Sequence, residues 1–203
     1  MILGLTGSLG SGKSTVAGIV RDLSGAFVID ADEITYQLQA PGAPAYDRIV
    51  EAFGNHILIA DGTLDRGKLG ATVFADEAKR QVLNSIVHPL VRQEELRLLE
   101  LHRNDPMVVL MVPLLYEVAM DKLADKVVVV TVDEKARQQR LWLRSAMPPD
   151  EVQRRLRTQM SQEDKARRAD FLVDNSGALE NTRQQVSELL RHLGISIPGE
   201  HSR

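Results

Sequence analysis

Ile2-Leu3-Gly4-Leu5-Thr6 is a short apolar run that passes directly into Gly7-Ser8-Leu9-Gly10-Ser11-Gly12-Lys13-Ser14 and then into the amphipathic segment Thr15-Val16-Ala17-Gly18-Ile19-Val20. Residues 7–14 match the pattern GxxxxGK[ST] without a mismatch. Glycines allow a tight turn in which several backbone N–H groups converge on one anion. A helix starting after the turn presents its positive end to the same anion. In such a loop Lys13 would bridge the β- and γ-phosphates of a nucleotide, and the Ser14 hydroxyl would ligate Mg2+. A glycine-rich turn that binds nothing can match the pattern by chance. Here the apolar run before it and the amphipathic segment after it supply the required context, so the loop predicts binding of a nucleotide with Mg2+.

Outward from this loop, apolar runs alternate with amphipathic stretches, the pattern of a parallel sheet wrapped by helices. Further strands are expected over Ala26–Ile29, Met107–Val112, Lys126–Val132 and Phe171–Val173. The valines of the last two long runs suit strands buried on both faces. Helices are expected over Ser14–Leu23, closed by Gly25, and over Leu179–Leu193. Residues from about 34 to 103 read as mostly helical, with breaks at Pro41-Gly42 and Asp61-Gly62 and a helix opened by Pro89. The predicted fold class is α/β, a three-layer P-loop NTPase fold with a five-stranded parallel core. The core takes in about 1–33, 104–134 and 169–195, with an acceptor-binding helical insert at 34–103, a lid at 135–168 and a frayed tail at 196–203, all in one domain.

The composition excludes several alternatives. A chain of 203 residues, 43% hydrophobic and 26% charged, suits one soluble domain with a sizeable core. Its net charge of −3 gives no basic field, so nucleic acid is not an expected partner. It has no cysteine, which rules out disulfides and thiolate metal sites and fits the cytoplasm. No run approaches the roughly 20 apolar residues of a membrane span. The N-terminus has no basic start and turns glycine-rich after a few apolar residues, so it reads as a strand and not as a signal sequence. The expected assembly is a monomer or weak homo-oligomer.

P-loop proteins divide into phosphotransferases and hydrolysing switches or motors. The latter commonly hold Mg2+ through an aspartate at the end of a buried strand. The run ending at Val112 leads instead to Pro113-Leu114-Leu115-Tyr116-Glu117, although Asp133, after the next run, keeps that option open. Asp30 and Asp32 stand after the second strand, and residues two apart on an extended segment face the same way. One would orient metal-bound water while the other accepts a proton from an attacking hydroxyl; alternatively Asp32 is only the N-cap of the next helix. Arg137, Arg140 and Arg144 have helical spacing, and Arg154, Arg155, Arg157, Arg167 and Arg168 follow beyond Pro148-Pro149. Guanidinium forks suit a transferring phosphoryl group, and a helical pair hinged at the prolines would exclude water. A solvated surface paired with Glu134, Glu151 and Glu163 accounts for several of these arginines, leaving Arg140 and Arg144 as the functional candidates. His88 reads as a substrate contact or, by preference, as a residue capping a helix or packed at its start. Trp142 reads as a packing residue rather than a stacking platform, and Tyr116 and Glu117 as acceptor contacts or ordinary loop residues.

Taken together, LTGSLGSGKSTVA, VIDAD, PGAPAY, DGTLDR, VHPLV, VPLLYE and ADFLVDNSG resemble the bacterial dephospho-coenzyme A kinase family nearly end to end. The phosphate loop is common to many kinases, whereas VIDAD, HPLV, PLLYE and DNSG in this order are specific. The resemblance implies transfer of phosphate from ATP, with Mg2+, to the ribose 3′-hydroxyl of dephospho-coenzyme A, on a nucleoside-monophosphate-kinase-like fold. It implies nucleotide contacts from Gly10, Ser11, Gly12, Lys13, Ser14 and Thr15, and lid contacts from Arg140 and Arg144. Asn175 would lie near the adenine, and Asp32 would act as general base. Arg66, His88, Tyr116 and Glu117 fall in motifs near the acceptor cleft. Ser8, Leu9, Gly67 and Gly70 depart from the family's usual residues, the last two in a stretch that is ordinarily more helical. The rival expectations are another small-molecule kinase of this fold and a regulatory protein that hydrolyses ATP without an acceptor.

Overall fold

The computed structural model of the chain describes residues 1–145 and 149–197. The expected hinge residue Pro148, the expected partner side chain of Glu151 and most of the expected frayed tail, residues 198–203, lie outside the described residues. The chain forms two compact units. One comprises Met1–Ile29 and the chain from His102 onward, and the other comprises Asp30–Leu101.

The first unit is built on a five-stranded parallel sheet. Its strands are β1 (Ile2–Thr6), β2 (Phe27–Asp30), β3 (Val108–Met111), β4 (Lys126–Thr131) and β5 (Phe171–Asp174), in the spatial order β2-β3-β1-β4-β5. β1 is the central strand: Leu3 pairs with Val109 of β3 on one side and with Lys126 of β4 on the other. The expected strands are therefore present, with ends displaced by a residue or so. Such displacements are normal where a strand gives way to a turn.

The helices of this unit are α1 (Lys13–Ser24), α6 (Glu134–Ser145), α7 (Pro149–Leu156), α8 (Gln162–Arg168) and α9 (Leu179–His192). α1 packs on α9, and Val16, Val20, Val186 and Leu190 meet Leu3, Leu5, Val109, Val128, Val130 and Val173 in one core, all buried. Alternate residues of each strand supply this layer, as the period of two requires. Fully burying side chains of this size contributes about 1.5–3 kcal/mol each, the main force holding the sheet to α1 and α9. Gly25 ends α1 in the left-handed region (φ 70°), its N–H donating to Arg21 O at 2.8 Å. This is the closure expected of a glycine just past a helix.

The second unit consists of α2 (Ala31–Leu38), α3 (Tyr46–Phe53), α4 (Arg66–Ala75) and α5 (Glu77–Leu101). Ile34, Ile49, Phe53, Ile57, Leu64, Leu69, Val87, Val91 and Leu99 are its larger buried apolar residues. The Tyr46 hydroxyl donates to Gly62 O, and an antiparallel bridge joins Leu58 to Leu64, closing the loop around Asp61-Gly62. Asp65 caps α4 by accepting from Lys68 N at 2.9 Å, and the helix runs through both Gly67 and Gly70.

Pro89 does not open a helix, as expected from its place after His88, but lies inside the 25 residues of α5. The carbonyl that loses its partner there is that of Ser85, four residues earlier. Ser85, His88 and Pro89 are all exposed, so water can satisfy that carbonyl, while Val87, Val91, Glu95 and Leu99 keep the opposite stripe buried.

Candidate active site

The phosphate loop connects β1 to α1, and two of its glycines are required by their surroundings. A Cβ on Gly7 would lie 2.5 Å from Val130 O, a backbone atom of the neighbouring strand that cannot move aside. Gly12 has φ +86°, and a Cβ there would lie 2.1 Å from Asn175 Nδ2. Gly12 is also the N-cap of α1 and makes no side-chain cap, so no side chain competes with an anion for the first N–H groups of the helix. Lys13 Nζ donates to Gly7 O at 2.9 Å and to Ser8 O at 3.4 Å, which holds the ammonium across the loop. Ser14 and Thr15 stand exposed in the first turn of α1.

Two residues from distant parts of the chain approach this loop at Gly12. Asn175, 4% exposed in the turn after β5, donates from Nδ2 to Ser11 O at 2.8 Å. From α6, Arg140 brings Nη1 to 3.7 Å from the position of a Gly12 Cβ. Arg140 Nη1 and Ser11 Oγ are buried and make no hydrogen bond among the described residues. Buried polar groups normally find partners. A guanidinium nitrogen, a hydroxyl and a helix N-terminus gathered at one glycine-rich turn fit the oxygens of a polyphosphate.

The other arginines separate by environment. Arg137, expected to share a face with Arg140 and Arg144, is buried and committed to the protein: its guanidinium donates to Glu134 at 2.8 Å and to Gln162 Oε1 at 3.0 Å. Gln162 in turn accepts from Val132 N at 3.1 Å, so Arg137 ties α6 to α8 and to the residue that follows β4. Arg144 is exposed near the end of α6. Arg167 pairs with Asp164 at 2.6 Å, and Arg168 pairs with Asp121 at 3.2 Å. Trp142, expected to pack, is 59% exposed and lines a cavity of about 270 Å³ with Gln138, Gln139, Pro149 and Val152. The reason is its place on α6: Leu141 takes the buried position, which turns the next residue outward.

The carboxylates are also reassigned. β2 ends at Asp30 and α2 begins at Ala31, so Asp30 and Asp32 do not share an extended segment. The cap is Asp30, whose Oδ1 accepts from Asp32 N at 2.9 Å and Glu33 N at 3.4 Å, and Asp32 stands in the first turn of α2. Asp133, the open metal-binding option, is likewise a cap: its Oδ1 accepts from Ala136 N at 2.8 Å at the start of α6. Among the described residues no cluster of His, Cys, Asp and Glu is arranged to hold a metal ion. The hydroxyl of Ser14 is a suitable single protein ligand for Mg2+, which commonly takes most of its coordination from water and nucleotide phosphates.

Beyond β3, Tyr116 is buried with the Arg168 guanidinium 4.2 Å from its ring centroid. Its hydroxyl is buried without a partner among the described residues, and burial raises its pKa. Glu117 is not an ordinary loop residue. Its Oε1 lies 3.1 Å from Lys165 Nζ and accepts from Met160 N at 2.8 Å. Lys165 is fully buried and also donates to Pro113 O at 2.7 Å, an oxygen shared with the Thr6 hydroxyl at 3.1 Å. Burial lowers the Lys165 pKa, with Glu117 opposing the shift. Sequence reasoning missed Lys165, because GlnGluAspLysAlaArgArg reads as a solvated helix. In the helical unit, Arg66 stands at the start of α4 with its guanidinium 4.2 Å from the Tyr36 ring centroid, and His88 is exposed on α5.

Comparison with known proteins decides the family, for a family model described as dephospho-CoA kinase matches residues 1–181. The chain belongs to the dephospho-CoA kinase family. The dephospho-CoA kinase of Symbiobacterium thermophilum is 50% identical over 192 residues, covering 94% of this chain and 80% of the relative. A Thermus thermophilus crystal structure superimposes with a TM-score of 0.77 at 32% identity, covering 95% of this chain and 97% of that one. The dephospho-CoA kinase of Campylobacter jejuni superimposes with a TM-score of 0.69 at 25% identity, covering 95% and 96%. Membership in the dephospho-CoA kinase family agrees with a phosphate loop complete in sequence and in backbone form.

Proposed function

We propose that this chain transfers the γ-phosphoryl group of ATP to the ribose 3′-hydroxyl of dephospho-coenzyme A, giving ADP and coenzyme A. The observation that carries the reading is the loop itself: an uncapped helix N-terminus, Lys13 and the buried Arg140 nitrogen gathered at one turn, in a chain matched by the family over residues 1–181. Gly10, Ser11, Gly12, Lys13, Ser14 and Thr15 hold the phosphates, and Arg140 and Arg144 approach from the lid, about 135–168. Asn175 supports the nucleotide site. Arg66, His88, Tyr116 and Glu117 are assigned to the acceptor, with the helical unit as its binding lobe. Mg2+, held by Ser14 and the phosphates, would neutralise charge on the reacting group.

In this mechanism the 3′-oxygen forms a bond to the γ-phosphorus as the bond to the β–γ bridging oxygen breaks and ADP leaves. Asp32 takes the proton of the hydroxyl and releases it to solvent. Lys13 and Arg140 stabilise the charge on the equatorial and leaving oxygens, and positioning supplies much of the remaining rate. The enzyme is assigned to the cytoplasm, as a monomer or weak homo-oligomer acting on small molecules and not on nucleic acid. Its lack of cysteine and its net charge of −3 support this, and no helix among the described residues is long and apolar enough to cross a membrane. A coupled assay of ADP release across acceptors tests the proposal. Release should depend on dephospho-coenzyme A, with AMP and adenosine much poorer because they lack the pantetheine arm whose binding orients the hydroxyl. Equal turnover with AMP would refute it.

A further inference from the structure

We propose that Thr182, on α9 and remote in sequence from the loop, is a positioning residue that sets the backbone of the phosphate loop through Asn175. The inference rests on the reading of that loop as the ATP site. Thr182 is fully buried, and its hydroxyl lies 2.9 Å from Asn175 Oδ1. Asn175 Nδ2 lies 2.8 Å from Ser11 O, and the Asn175 backbone is anchored by its own N–H donating to Thr131 O at 3.0 Å.

The donors and acceptors leave one arrangement for this chain of bonds. Ser11 O is a carbonyl and only accepts, so the Asn175 amide must present its NH2 group to it. That leaves Oδ1 facing Thr182, and the hydroxyl must donate. Without the Thr182 hydroxyl, Oδ1 is buried with no partner, and the amide is held at its Ser11 end alone.

The bond to Ser11 O matters because of what lies on the other end of that peptide. In a planar trans peptide the C=O and N–H point in opposite directions. Holding Ser11 O toward Asn175 therefore directs the Gly12 N–H away from Asn175, as one of the inward donors that a phosphate nest requires. A flipped peptide would turn a carbonyl oxygen toward the anion. Gly12 fits this account twice, since its φ of +86° is the nest conformation and its missing Cβ admits Asn175 Nδ2.

The test is calorimetric titration of ATP–Mg2+ into the wild-type chain, Thr182→Val and Thr182→Ser, with thermal melts and steady-state kinetics on each. Valine keeps the shape and removes the donor; serine keeps the donor. Thr182→Val should weaken ATP binding roughly tenfold, the scale of one buried unsatisfied acceptor, and raise KM for ATP. At saturating ATP its kcat and its KM for dephospho-coenzyme A should stay near the parent values, and Thr182→Ser should bind ATP nearly as the wild type does. If Thr182→Val does not fold, Thr182→Cys carries the test, keeping the shape with a weak S–H donor. Weaker ATP binding by the cysteine variant beside normal binding by serine supports the role. Unchanged ATP affinity in a folded valine or cysteine variant, whatever its melting temperature, overturns it. A wild-type chain that does not bind ATP overturns the proposed function as well, so the two failures are told apart.

Discussion

Asp32 and Asp30 share one short motif, yet the first turn of α2 gives them different work. Asp30 spends an oxygen on the N–H groups of Asp32 and Glu33. Asparagine caps as well as aspartate, so Asp30→Asn should leave the stability of α2 nearly unchanged. In the proposed mechanism Asp32 is the base, and Asp32→Asn keeps size and shape but cannot take the hydroxyl's proton. Its kcat should fall by about a hundred- to ten-thousandfold with ATP–Mg2+ affinity retained, and a folded variant within about threefold of the parent kcat would remove the base role. Glu95 gives a second prediction of a different kind. It is 2% exposed, and burial pushes its carboxyl from 4.5 up to about 7, with the Arg92 charge pulling the other way. A raised folded pKa means that the group's stabilising contribution is fully present below about pH 4.5 and is lost as pH rises through about 7. Glu95→Gln should therefore match the wild type near pH 4.5 and exceed it by up to about 3 kcal/mol at pH 8, measured by urea denaturation. Equal stability at both pH values would contradict this. Neither the Glu95 environment nor the burial of Lys165 was legible in sequence. Each sits in a charged helical stretch, and only tertiary packing turns one of its several similar residues inward.

At the scale of elements, the supports of the site are α6, α8 and the turn after β3. Arg140 is the residue that α6 delivers to the loop, so Arg140→Ala should lower kcat by roughly ten- to a thousandfold with little loss of stability. Near-normal turnover in a folded variant would assign it to structure alone. Glu117 and Lys165 join the turn after β3 to α8 in a way that surface ion pairs do not. Removing Glu117 leaves a buried ammonium that donates to Pro113 O, and Glu117→Ala should cost about 3–5 kcal/mol in denaturant titration. Lys165→Met removes the buried charge itself and should cost less; the reverse order would contradict the account. The elements most legible in sequence were the strands, because four of them are runs of β-branched or large apolar residues between turn signals. Less legible was the course of α5, where Pro89 signals a helix start by local rules. Those rules take no account of an exposed stripe on which a lost hydrogen bond is inexpensive. The handover from β2 to α2 was misread for a related reason, since VIDAD alone does not say which aspartate turns the chain.

At the scale of the whole molecule, the α/β order was readable from one complete phosphate loop and the alternation of apolar and amphipathic runs. The bonds that join distant parts of the chain were not. Asn175 and Ser11 lie 164 residues apart, and no local signal links the turn after β5 to a loop near the N-terminus. The division into a sheet unit and a helical unit fits a kinase that holds nucleotide on one and recognises acceptor with the other, which is the proposed arrangement. That arrangement makes one demand on chemistry: phosphate must move from ATP to a single hydroxyl and not to water. The direct measurement is to supply γ-labelled ATP with dephospho-coenzyme A and locate the label in the product by mass spectrometry and phosphorus NMR. The account predicts label in a phosphate on the ribose 3′-oxygen, in step with ADP formed. Label released as inorganic phosphate at a rate indifferent to dephospho-coenzyme A would contradict it.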